Sequence, residues 1–122
     1  MVTLNAEYSM LKNARADLVA YLVVEDKVHF QEQVGELRQS IPSSSSVLKA
    51  ARFAGKVNET LMIYPEGLRA KKVLLIGLGS AQSLSPERLR RAAATAAKAA
   101  QGEKARKLAI MEPNPEIGRA HV

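Results

Sequence analysis

The chain contains no cysteine and no tryptophan. Without cysteine there is no disulfide framework, no thiolate zinc site and no cysteine nucleophile. Aromatics are scarce, three tyrosines and two phenylalanines in 122 residues, so Leu, Val, Ile and Ala have to fill the core. No apolar run approaches the roughly 18 to 20 residues that cross a bilayer. Met1-Val2-Thr3-Leu4-Asn5 lacks the basic start and apolar stretch of a secretory signal. A cytoplasmic protein without membrane contact is expected. The two histidines, His29 and His121, are far apart and show no ligand spacing such as HxxxH, so no metal site is expected on this chain.

What is present is enough for one modest core: 47% of the residues are hydrophobic, and the length suits a single domain over residues 1–122. The net charge of +6 is unevenly placed. Residues 1–61 carry seven basic and seven acidic side chains, whereas residues 62–122 carry eleven and five. A localised basic surface attracts phosphate backbones or other anions, and it also serves simply to keep a protein soluble.

Periodicity orders the elements. Val2–Leu4 reads as a short first strand. Leu18-Val19-Ala20-Tyr21-Leu22-Val23-Val24 is a continuous apolar run stopped by Glu25-Asp26, the pattern of a strand buried on both faces. Phe30, Val34 and Leu37 recur at helical spacing with Gln31, Glu32, Gln33 and Glu36 between them, predicting an amphipathic helix that Gly35 weakens and Ile41-Pro42 ends. Ser43 to Ser46 form a surface loop or the N-cap of a short helix over Val47–Ala51. Thr60–Tyr64 is a strand closed by Pro65-Glu66-Gly67. Val73–Ile76 is another, ending at Gly77-Leu78-Gly79-Ser80. Ser85 as N-cap, Pro86 at the first position and Glu87 in the first turn open a helix to Gln101, with Gly102 as its stop. Lys107–Met111 is the last strand. Strand, helix and strand from Val73 to Met111 have the order of a βαβ unit, so the class is α/β, a three-layer sandwich on a mostly parallel mixed sheet. Asn114-Pro115-Glu116 then resembles the opening of a further helix or linker over residues 114–122, which suggests a fragment of a longer chain.

No catalytic constellation emerges. Gly77-Leu78-Gly79-Ser80-Ala81-Gln82 satisfies only two glycines of GxGxxG, and the simpler reading is a tight exit turn from a buried strand. Asp17, Glu25 and Asp26 bracket a strand and read as solvated end charges. The serines at 43–46 have no neighbouring base. On the helix from Pro86, Leu89, Ala92, Ala93, Ala96 and Ala100 share the inner face. Arg91, Thr95 and Lys98 lie opposite, Arg88 and Arg90 flank them, and Lys104, Arg106 and Lys107 extend the positive region. Arg88, Arg91 and Lys98 are the candidate contacts for an anion or nucleic acid; an ordinary solvated face is the plainer alternative.

Taken in order, Asp17-Leu18-Val19, Arg52-Phe53-Ala54-Gly55-Lys56, Glu59-Thr60-Leu61, Lys72-Val73-Leu74-Leu75-Ile76-Gly77-Leu78-Gly79 and Leu84-Ser85-Pro86-Glu87-Arg88-Leu89-Arg90-Arg91-Ala92 resemble the N-terminal domain of the leucyl aminopeptidase family, the cytosol aminopeptidases. The Phe-x-Gly-Lys segment and the strand ending in Gly-Leu-Gly carry the likeness most specifically. The resemblance implies a macrodomain-like fold and a parent metalloaminopeptidase. Its absent C-terminal domain would hold two divalent metal ions, zinc or manganese, and remove N-terminal residues, leucine preferred. The catalytic signature Asn-Thr-Asp-Ala-Glu-Gly-Arg does not occur here, so no catalytic, metal or cofactor residue carries over and the chain alone is expected to be inactive. The catalytic domain is the expected partner, in a parent expected to be a homohexamer. Two other readings stay open: a nucleic-acid-binding module using the basic helix 86–101, with DNA as partner, and a relict ADP-ribose pocket at Gly77–Ser80.

Overall fold

The computed structural model describes residues 3–7, 15–68 and 70–111. The expected start at Val2 and the helix or linker expected over 114–122 therefore lie wholly or partly outside the described residues. Five strands, β1 (Thr3–Glu7), β2 (Leu18–Val24), β3 (Thr60–Ile63), β4 (Lys72–Gly79) and β5 (Lys107–Met111), form one sheet in the order β1-β5-β2-β4-β3. All neighbours are parallel except β3 and β4, which are antiparallel. Helices α1 (Lys27–Ser40) and α2 (Ser44–Ala51) connect β2 to β3, and α3 (Pro86–Gly102) connects β4 to β5. The class is α/β on a mostly parallel mixed sheet, as the residue pattern predicts.

Alternation along the strands explains the three layers. Val19, Tyr21, Val23, Val73 and Leu75 point to one face and meet Leu37, Ile41, Leu48 and Phe53 from α1, α2 and the segment after them. Leu18, Ala20, Leu22, Val24, Leu74 and Ile76 point to the other face and meet Ala92, Ala96 and Ala100 of α3. The alanine stripe lets α3 lie close to the sheet, as expected from its spacing. All seven residues of β2 are buried, which is the consequence of a central strand covered on both faces.

Three local details differ from the sequence reading. Gln33, grouped there with the solvent-facing positions of α1, is only 6% exposed. Its Nε2 donates to Leu22 O at 2.7 Å and its Oε1 accepts from Val24 N at 3.0 Å. The described β2–β5 pairing reaches Tyr21↔Met111, and the Gln33 amide bonds the β2 backbone just beyond it. The strand expected to end at Ile76 runs on to Gly79, and its register against β2 shifts between Val23↔Gly77 and Val24↔Gly79. Leu78 is thus the extra residue of a bulge. Finally, Gly102 is the last residue of α3 and not a left-handed stop after Gln101. Gly102 stays helical, Ala105 N closes on Ala100 O at 2.8 Å, and the left-handed residue is Lys104, at φ 56°.

Candidate functional site

In open α/β sheets the default ligand crevice lies beyond the C-terminal ends of adjacent parallel strands whose connections leave to opposite faces. Here those strands are β2, which leads into α1, and β4, which leads toward α3. The chain closes this crevice with its own groups. Glu25 N donates to Gly79 O at 3.0 Å, and Ala81 N donates to the Asp26 carboxylate at 2.6 Å. Ser80 Oγ takes Gln82 N at 3.2 Å. The amides that would cradle a phosphate after Gly79 are thus directed at Asp26 and Ser80. Asp26, read from sequence as a solvated charge, is a structural acceptor.

The Phe-x-Gly-Lys segment and the Gly-Leu-Gly strand end meet at the same place. Gly79 N donates to Gly55 O at 2.9 Å, Gly77 N to Glu59 O at 2.7 Å and Asn58 N to Gly77 O at 3.2 Å. Glu59 Oε1 gathers the amides of Ala54, Gly55 and Lys56 at 2.9, 2.9 and 3.1 Å, which turns the loop back onto the sheet. A side chain at Gly77 would collide with the Lys56 carbonyl and the Gly55 backbone. Gly55 has φ +83°, and a Cβ there would lie 2.8 Å from Val24 O. Gly77 is required because the backbone of the 55–56 segment occupies the space, and Gly55 because the end of β2 does, at a positive φ. The two motifs are one packing unit, which is why the sequence presents them together. Glu59 enters the sequence reading only as part of the segment Glu59-Thr60-Leu61; a lone Glu before a strand carries no signal of the loop it organises.

The candidate cations are divided rather than gathered. Arg88 and Arg91 line a cleft of about 160 Å³ between α3 and the Val57-Asn58 turn, with Ser85, Glu87 and Thr95. Ser85 caps α3 by accepting Arg88 N at 3.1 Å. The Arg88 side chain is half-buried and its Nη1 donates to Leu78 O at 3.1 Å. Arg91 Nε lies 3.1 Å from Glu87 Oε1, and Arg90 lies 3.4 Å from the other oxygen, so one carboxylate answers two guanidinium groups. Lys98 is exposed and does not line the cleft; it stands ten residues, or about 15 Å, along the helix from Arg88. Lys104, Arg106 and Lys107 are farther still, at the opposite end of α3.

That opposite end is organised by Asp17. Its Oδ2 accepts the amides of Arg106 and Lys107 at 2.8 and 3.0 Å, its own N donates to Lys107 O, and its O accepts Lys72 N. The two backbone donors, from Lys107 first and then Arg106, hold its carboxyl below the usual aspartate range, helped by the charges of Lys71 and Arg106. Asp17 therefore ties the starts of β2, β4 and β5 together.

Among the described residues no three His, Asp or Glu side chains gather as a metal site, and no helix is long and apolar enough to cross a membrane. His29 Nδ1 lies 3.9 Å from Glu32 and has no hydrogen-bond partner among the described residues; His121 is outside the described residues. Residues Ser44 to Ser46 belong to α2, and Ser44 is fully buried. No base is paired with these hydroxyls among the described residues.

The family model described as "Cytosol aminopeptidase family, N-terminal domain" matches residues 22–121. A probable cytosol aminopeptidase of Protochlamydia amoebophila is 42% identical over 71 residues, covering 58% of this chain and 14% of that protein. One from Nostoc punctiforme is 36% identical over 103 residues, covering 80% of this chain and 20% of that protein. The chain thus spans at most about a fifth of the length of these relatives. Among solved structures, a tomato leucine aminopeptidase mutant superposes with a TM-score of 0.66 over 99% of this chain and 35% of its own, at 18% identity, a likeness of fold.

Proposed function

Because the chain belongs to the cytosol aminopeptidase family, as that family's N-terminal domain, we propose that it is a non-catalytic accessory domain of a leucyl aminopeptidase. The catalytic C-terminal domain of the parent is its partner in the cytosol. The removal of N-terminal residues, the two divalent metal ions and a hexameric assembly all belong to that parent and are part of the proposal. The observation that carries it is the family-matching pair of segments, Phe53–Lys56 and Gly77–Gly79, spent on each other's backbone packing. The strand-end crevice, taken up by Asp26 and Glu25, supports the same reading. It also disfavours an ADP-ribose pocket at Gly77–Ser80.

The test is hydrolysis of leucine p-nitroanilide by the purified 122-residue chain, with manganese or zinc added. We expect no turnover above the metal alone. Turnover that persists through purification and is lost with the protein would overturn the proposal.

Nucleic-acid binding through α3 is a second reading, favoured by the cleft that Arg88 and Arg91 flank and by exposed Lys98. Against it stand Glu87, which answers Arg90 and Arg91, and the Leu78 carbonyl, which occupies Arg88.

A further inference from the structure

β3 is a sheet edge. Its one strand partner among the described residues is β4. Gly77 N bonds Glu59 O, so antiparallel alternation makes Leu61↔Leu75 and Ile63↔Val73 the hydrogen-bonded pairs and turns the N–H and C=O of Thr60 and Met62 outward. Such a row is a template for another strand. The edge carries few of the usual protections: it is short and Pro65 follows it closely, but no charged side chain stands within Thr60–Ile63.

At the end of this edge the surface changes character. Tyr64, which directly follows β3, is 66% exposed. Beyond it the starts of β4, β2 and β5 stand side by side, spaced about 4.8 Å apart. They bring together Arg15, Lys71, Lys72, Lys104, Arg106 and Lys107. The acids at this end are already engaged or few: Asp17 is held by two backbone amides, Glu103 pairs with Lys72, and Glu66 sits in the β3–β4 turn. Part of the positive region read from the sequence, Lys104, Arg106 and Lys107, thus joins Arg15, Lys71 and Lys72 at the strand-start end of the sheet, beside an exposed tyrosine and an open edge.

We propose that edge strand β3 and the adjoining basic strand-start surface form a docking site for an acidic, extended segment of another polypeptide. The segment adds a strand outside β3, bonding the outward groups of Thr60 and Met62, and continues past Tyr64 so that its carboxylates meet Lys71 and the cations beyond. Charge alone does not distinguish a carboxylate chain from a phosphate chain. The outward amide row does, because only another polypeptide backbone supplies donors and acceptors at strand spacing. Tyr64 contributes an aromatic anchor of the kind enriched at protein interfaces.

The probe is a fluorescein-labelled octapeptide alternating glutamate and threonine, titrated with the 122-residue chain at low ionic strength and followed by anisotropy. We expect saturable binding that weakens as salt is raised, and weaker binding of an alternating lysine–threonine octapeptide. Charge reversal, Lys71→Glu with Lys107→Glu, is expected to weaken binding at least about tenfold. Thr60→Pro removes an outward N–H while sparing the β4 ladder, and is expected to weaken binding by a similar factor with the charges intact. Circular dichroism and the thermal midpoint show whether each variant is folded; if Thr60→Pro is not, Tyr64→Ala and backbone N-methylation of the peptide at alternate residues replace it. No binding, equal binding of the lysine peptide, or binding insensitive to edge blockade and peptide N-methylation would each overturn the proposal. So would tighter binding of a single-stranded oligothymidylate that displaces the peptide and is itself lost on the Lys71 and Lys107 reversal, which makes the surface a nucleic-acid site. These outcomes are independent of whether the chain hydrolyses leucine p-nitroanilide.

Discussion

Adding one methyl group at position 77 places it against the Lys56 carbonyl and the Gly55 backbone, atoms that cannot rotate away as a side chain would. Gly77→Ala must therefore separate the 55–59 loop from β4 and strain the bonds from Gly77 N to Glu59 O and from Gly79 N to Gly55 O. We expect a loss of roughly 2–4 kcal/mol, at the upper end of what overpacking costs. Gly35 provides the opposite case. It lies inside α1 with nothing within 4 Å of a Cβ, so Gly35→Ala removes a flexible residue from a helix and is expected to gain about 0.5–1 kcal/mol. Urea midpoints for the two variants measure both signs. A stable Gly77→Ala would mean that the loop and strand are not locked together as described. The sequence shows both residues as plain glycines; a strand residue pressed by another backbone and a spare helix residue differ only in three dimensions.

At the scale of elements, much of the fold is legible because the segments obey their own periods. β2 is apolar throughout and is buried throughout. α3 announces itself by Ser85, Pro86 and Glu87, and Ser85 does accept the Arg88 amide. What the pattern hides is where one element satisfies another's backbone. Gln33 looks like a surface residue because it is polar, yet it lies against β2 and satisfies Leu22 O and Val24 N. The approach of α1 to the end of β2 has no sequence signal. Gln33→Leu keeps the bulk and removes both bonds, leaving two buried backbone groups unpaired. The expected cost is about 2–4 kcal/mol, whereas Gln31→Leu, on the exposed side of the same helix, is expected to stay within about 0.5 kcal/mol. Guanidinium unfolding of the pair decides it; equal effects would show that Gln33 does not hold the β2 backbone as described. Candidate sites are less legible than elements for a related reason. Arg88, Arg91 and Lys98 share a helix, but the first is taken by Leu78 O and the second by Glu87, engagements that depend on what the helix packs against.

Across the whole molecule, charge is separated along the strand direction. The chain carries a net +6, and a large share of its cations stands at the strand-start end around Asp17, where Lys71 and Arg106 already bear on that carboxylate. Like charges held this close repel in the folded state and relax apart in the unfolded chain, so the folded state is the one that screening favours. The opposing contribution is small, because Arg90 and Arg91 meet Glu87 at exposed positions and exposed pairs contribute between about 0 and 1 kcal/mol each. Raising sodium chloride from about 0.01 M to about 1 M shortens the screening length from about 30 Å to about 3 Å. We therefore expect the thermal midpoint to rise by several degrees, on the order of 1 kcal/mol for a chain of this length. Neutralising two of the crowded cations, Lys71→Gln with Lys107→Gln, should raise the midpoint at low salt and flatten its dependence on salt. Replacing Lys98, which stands about two turns from the α3 arginines and away from the strand-start cations, should do neither. If salt instead lowers the midpoint of the unmodified chain, attractive pairs outweigh the crowding and the strand-start end is not the concentrated positive surface that docking an acidic segment requires.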